Sequence, residues 1–150
     1  MPTNILRRQS KPPSKKGGRA TSPFKGGTRR VLIRSAGISV VADLLDTPTA
    51  DRIWSALPLH SSVEPFGSTI QFEVPIESGR ERGAKILASL GELYFWADGD
   101  RVVLVFGPTP ISRPGEIRLQ APCNVWARTS EDLSPLKKVR PGEKISLLAT

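Results

Sequence analysis

Glu92-Leu93-Tyr94-Phe95-Trp96-Ala97, then Asp98-Gly99-Asp100, then Arg101-Val102-Val103-Leu104-Val105-Phe106 is the stretch that decides the fold. Asp-Gly between two runs of aromatic and β-branched residues is a strong hairpin signal. Side chains alternate across a strand, so Tyr94 and Trp96 share one face and Phe95 takes the other. Both runs are apolar on both faces. In an antiparallel sheet that predicts cover on each side, as when a helix caps a barrel.

Working outward, Val31-Leu32-Ile33-Arg34 and Ile38 to Leu44 flank Ser35-Ala36-Gly37 and read as a second hairpin. A helix follows. Thr47 is a natural N-cap, Pro48 suits the first helical position, and Ala50, Ile53, Trp54 and Leu57 form one apolar stripe. Pro58 stops it, and Trp54 is expected in the core. Thr69 to Val74 alternates strictly, placing Ile70, Phe72 and Val74 inward and Gln71 and Glu73 outward. Ser62 to Phe66 is a shorter strand, and Pro65 confines it to an edge or to its own end. Within 78–91, Ala84 to Leu90 reads weakly as one helical turn. On the far side, Gly107-Pro108-Thr109-Pro110 leaves the sheet because Pro cannot pair. Cys123 to Arg128 and Lys144 to Leu148 are strands, and Leu133 to Val139 is a helical turn or an irregular link. Seven or eight short strands and one helix predict a mainly β domain, a closed or nearly closed barrel with a helical cap.

The 150 residues suit one domain. Residues 1–30 hold nine basic side chains, no acid, eight Gly or Pro and six Ser or Thr. Such a segment cannot offset the entropy of ordering it, so 1–30 is expected to be a disordered basic tail and 31–150 the folded domain. The tail reads as a solvated extension, an arm for nucleic-acid phosphates, or an organelle transit peptide. It lacks the aromatics that stack bases. No apolar run is longer than the five residues Val102 to Phe106, far short of the roughly 20 residues of a membrane helix. Near the start only Ile5-Leu6 is apolar, too little for a secretory signal, so a cytoplasmic location is expected. One cysteine, Cys123, and one histidine, His60, cannot build a four-ligand zinc site alone, and no metal or cofactor is expected.

Gly91-Glu92-Leu93-Tyr94-Phe95-Trp96, Phe106-Gly107-Pro108-Thr109-Pro110-Ile111-Ser112, Glu116-Ile117 and Ala121-Pro122-Cys123-Asn124-Val125 resemble a family of small prokaryotic cyclophilin-like proteins without an assigned activity. So do Thr49-Ala50, Leu57-Pro58-Leu59, and Phe66-Gly67 followed by Ile70 to Pro75. The resemblance covers nearly all of 31–150, and Phe-Gly-Pro-Thr-Pro is its most specific piece. It implies a closed eight-stranded β-barrel of the cyclophilin type. True cyclophilins carry Phe-His-Arg, whose Arg polarises the prolyl amide. This sequence has no such run, so the resemblance carries over no catalytic residue. Prolyl isomerisation would need an Arg such as Arg113 or Arg118 at the substrate amide.

A nucleophilic His60–Cys123 pair would need contact and a depressed thiol pKa. Asp98 and Asp100 suit the turn better than acid–base work. Gly79 and Gly83 lack the Lys and Ser or Thr of a phosphate loop. What remains is a binding surface. Phe66, Tyr94, Trp96 and Phe106 sit at or near strand ends, and Pro108, Thr109 and Asn124 could border the same groove. The expected function is a small molecule or peptide held in this aromatic groove. Enzymatic activity of the same fold, or nucleic-acid association through the tail, are the alternatives.

Overall fold

The structure, a computed structural model, describes residues 29–150. The tail expected over 1–30 lies outside the described residues except for Arg29 and Arg30. Arg29 donates to Asp51 and to the Leu45 carbonyl, and Arg30 begins the first strand. The elements are β1 (Arg30–Ser35), β2 (Ile38–Leu44), α1 (Pro48–Ala56), β3 (Leu59–Ser62), β4 (Glu64–Pro65), β5 (Thr69–Glu73), β6 (Lys85–Leu87), β7 (Glu92–Trp96), β8 (Arg101–Val105), β9 (Arg118–Arg128) and β10 (Lys144–Ala149). Single 3-10 turns occupy Ala97–Gly99 and Ser134–Lys138.

Both expected hairpins form. β1 and β2 pair from Ser35 with Ile38 to Arg30 with Asp43, around a two-residue turn of Ala36 and Gly37, both at positive φ. β7 and β8 pair Leu93 with Leu104 and Trp96 with Arg101. The helix is capped as its sequence demands: Ala50 N donates to Thr47 Oγ1 at 3.1 Å, and Leu57 is the C-cap. Its apolar stripe is only partly sunk. Ala50 and Ile53 are fully buried, whereas Trp54, expected in the core, is half-buried and packs at its margin.

The strands run in the order β3-β10-β1-β2-β9-β7-β8-β5-β4, with β6 pairing β9 off this path. The expected closed eight-stranded barrel is not formed: the described residues hold ten strands, and no ladder among them joins the two ends. Those ends, β3 and β4, are nonetheless separated in the chain by Val63 alone, so the sheet must roll round until its edges meet. A side chain spans the seam in place of a ladder: Ser61 Oγ donates to the Glu73 carbonyl, while Val63 extends the β3–β10 pairing through bonds with Glu143 and Gly142.

Inside the roll sits the main core, including Ile33, Ile53, Phe72, Leu93, Phe95, Leu104, Trp126 and Leu147. The outer face of the β7–β8 hairpin is also covered. Tyr94, Val103 and Val105 pack with Leu119 and Cys123 into a second cluster. This cover corrects the reading of 78–91. No helical turn forms there; Lys85–Leu87 is a strand pairing Arg118 and Cys123 of β9. A β-ribbon, not the helix, roofs the hairpin, and both faces of β7 and β8 are apolar because two cores flank them.

Candidate functional site

The ribbon leaves one cleft beside the hairpin's outer face, lined by Phe66, Thr69, Gln71, Trp96, Val103, Leu119, Gln120 and Cys123. Strand register builds it. Gln71 pairs Val103, which pairs Tyr94, and in the next row Glu73 pairs Arg101, which pairs Trp96. The cleft encloses about 260 Å³ of empty space, including its open mouth, and leaves a water-sized sphere only about 10 Å³. It is narrow and mainly apolar.

Of the expected site residues, Phe66 and Trp96 line this cleft. Tyr94 lies on the same face but is fully buried in the second cluster. Its hydroxyl donates to Glu92 Oε1 at 2.7 Å and accepts from Ser89 N at 2.8 Å. Phe106 follows outward-facing Val105, so it alternates to the other side and packs against the main core. Asn124 is likewise on the far side, opposite core-facing Phe95. Thr109 is buried in its own turn, where its Oγ1 donates to the Arg118 carbonyl at 2.5 Å. Pro108 is exposed. Its loop seats on Gly67, where a Cβ would come within 2.9 Å of the Pro108 carbonyl and the Thr109 Cα. The loop thus fixes the Phe66–Gly67 turn at the cleft mouth without lining the cleft.

Sequence reading missed Thr69, Gln71, Val103, Leu119, Gln120 and Cys123. The signal is present in part: alternation turns Gln71 outward, and the register sets it on the face that Tyr94 and Trp96 share. What pattern alone could not show is that the ribbon roofs that face and leaves Gln71 only 6% exposed.

The chemistry is that of a binding surface. Burial pushes the Cys123 thiol up to about 12, against a smaller opposing field from Arg80, so it stays protonated at neutral pH. His60 on β3 bonds Ser146 Oγ at 2.8 Å, with three strands between it and β9 in sheet order. Arg118 is held by Glu116 through two hydrogen bonds, and Arg101 pairs with Glu64. Among the described residues no group of three or more His, Cys, Asp or Glu could hold a metal ion. Nor, among the described residues, is any helix long and apolar enough to cross a membrane.

Behind the cleft, Lys85 Nζ and Tyr94 Oη both donate to Glu92 Oε1 at 2.7 Å. Burial raises the Glu92 carboxyl, but those two bonds and the nearby cations outweigh it and hold it below its ordinary 4.5. Burial, and then the Glu92 carboxylate, push the Tyr94 hydroxyl above its ordinary value. A depressed carboxyl stabilises the fold above its unfolded pKa and loses that contribution as pH falls through the folded value. Urea midpoints at pH 7 and pH 3 should therefore differ less in Glu92→Gln than in wild type, by on the order of 1 kcal/mol. An equal loss in both proteins would show the carboxylate contributes nothing.

The comparisons with known proteins agree with this architecture. No curated protein matches the sequence. The solution structure of the hypothetical protein AF2241 from Archaeoglobus fulgidus superposes with a TM-score of 0.71 at 29% identity, over 83% of this chain and 97% of that one. The structure of McbB in complex with tryptophan superposes at 0.60 with 14% identity, over 79% of this chain and 44% of that one, a likeness of fold alone. The family model described as Cyclophilin-like matches residues 29–148, and the chain belongs to that family.

Proposed function

We propose that the protein is a binding module that holds a small flat ligand, or one flat side group of a peptide, between Phe66 and Trp96. The observation that carries this reading is an aromatic-walled apolar cleft whose one thiol is protonated, flanked in the strands by Arg101 and Arg118, both tied to carboxylates. Pockets for small molecules have this make-up, apolar walls with few polar groups. As it stands the cleft has room for about one water, so a single ring enters only as the Phe66 or Trp96 side chain turns aside.

A thermal-shift panel of phenol, indole and benzamide tests it. A fragment at 100 times its dissociation constant adds about 2.7 kcal/mol of stability. At least one fragment should raise the melting temperature of wild type and fail to raise that of Phe66→Ala. No shift with any of them, or an equal shift in Phe66→Ala, would overturn the reading.

A further inference from the structure

Two polar groups at the cleft make no hydrogen bond to a described residue. Trp96 Nε1 is buried without a hydrogen-bond partner, alone in this among the buried side-chain polar atoms of the described residues. Gln71 is 94% buried, and its amide makes no hydrogen bond to a described residue. Buried polar groups are almost always paired, so the orphan indole N–H calls for an explanation, and the Gln71 amide on the same cleft, not counted among the buried orphans, is open to a ligand. Gly99 packs against the benzo side of the Trp96 ring, where a Cβ would come within 2.7 Å of Cε3. The pyrrole N–H lies on the opposite side of the indole from that contact.

Resting on the ligand reading above, we infer that the cleft recognises a neutral planar carboxamide. The indole N–H is a donor only, and the Gln71 amide is donor and acceptor at once. Their complement is a group with an acceptor for the first and a matched acceptor–donor pair for the second, which is an amide. A carboxylate could not accept the second part of that pattern, because it has no proton to donate to Gln71 Oε1. Charge on the page also favours a neutral group. Arg101, in the same cross-strand row as Trp96, is neutralised by Glu64, and Arg80, whose field reaches Cys123, is exposed to solvent. The walls formed by Phe66, Val103 and Leu119 suit the ring or chain that carries the amide.

The test uses three probes of one shape, benzamide, benzoate and toluene, titrated into the full chain labelled with ¹⁵N. Three tryptophans give three indole N–H resonances, and Trp96→Phe assigns the one of interest. Benzamide should move the Trp96 indole proton downfield and bind about tenfold more tightly than toluene. Gln71→Leu, which keeps the volume and suits an apolar surrounding, should remove that preference while toluene still binds. Toluene binding as tightly as benzamide to wild type would overturn the amide inference and leave the cleft a ligand site. Benzoate binding more tightly than benzamide would overturn it in favour of an anion site. No probe perturbing the Trp96 resonance would overturn this inference and the ligand reading together.

Discussion

Trp126→Ala is expected to cost about 3–5 kcal/mol, the usual range for deleting a large buried aromatic. Trp126 is fully buried, and its Nε1 donates to the Tyr94 carbonyl at 3.1 Å across the β9–β7 pair. The ring sits there because β9 carries a bulge. Val125 faces Tyr94 and Ala127 faces Leu93, so Trp126 is the extra residue between two ladder partners. Removing the ring empties space in the main core and deletes its hydrogen bond to the Tyr94 carbonyl. Most domains hold only about 5–15 kcal/mol in reserve, so much of the fold's margin would be lost. At roughly 4 °C per kcal/mol for a domain of this size, the melting temperature should fall by about 12–20 °C. Trp126→Phe keeps most of the volume and loses the N–H, and should cost clearly less. A loss below about 1 kcal/mol for the alanine variant would mean that the bulge does not bury the ring.

The bulge explains why the hairpins could be read from the chain and the core tryptophan could not. Asp98-Gly99 and the strict alternation of Thr69 to Val74 are local signals, settled within a few residues, and the structure reproduces both. The expectation that Trp54 is the core tryptophan rested on a helical stripe of correct period. That stripe is wider than the contact α1 makes, so its edge residue is left half-exposed. Trp126 lies in a strand whose alternation breaks, with Trp126 and Ala127 both turned inward, and no period announces a break of that kind. Closure was over-read for a related reason. The apolar hairpin demanded cover on both faces, and a sealed barrel was the simplest source of it. The chain supplies the cover with a short ribbon instead, whose strand β6 shows little β pattern and leaves Leu90 66% exposed just beyond it.

The candidate site was half legible for a similar reason. The shared face of Tyr94 and Trp96 follows from period two, and Phe66 follows from its place beside the turn before β5. Phe106 and Asn124 share an aromatic or polar character with the site, but parity puts them on the other face. Parity was available: Phe106 follows Val105, and Asn124 follows Cys123. What could not be read is which strands lie side by side. Gln71 and Trp96 meet only because β8 stands between β5 and β7, a fact of topology that no run of residues states.

Asn124→Asp is the sharpest test of what holds α1 to the body, and it should cost about 3 kcal/mol or more at pH 7. Asn124 is buried, and its amide spends every group it uses. Oδ1 accepts from Glu81 N at 2.8 Å, and Nδ2 donates to Thr49 Oγ1 and to the Gly79 carbonyl, each at 2.9 Å. Thr49 Oγ1 in turn donates to Glu81 Oε2 and lies 2.8 Å from Ser78 Oγ, so one side chain links the helix's first turn to the loop before β6. The substitution keeps the acceptor and deletes the donor. It also sets a carboxylate beside the Gly79 carbonyl and near the Glu81 carboxylate, with Arg52, bonded to Ser78, and the exposed Arg80 as the nearby cations. Burial and that neighbour raise the folded pKa of the introduced group above its unfolded value of about 3.9. A raised pKa means that the folded state holds the proton more tightly, so the variant's deficit shrinks as pH falls through the raised value. Asn124→Ala loses the same bonds without gaining a proton site, so its deficit should stay level over that range. Urea unfolding of the three proteins between pH 7 and pH 4 separates these outcomes. If the aspartate variant matches wild type at pH 7, or if its deficit does not narrow relative to the alanine variant in acid, the donor at this position is not what fastens the helix.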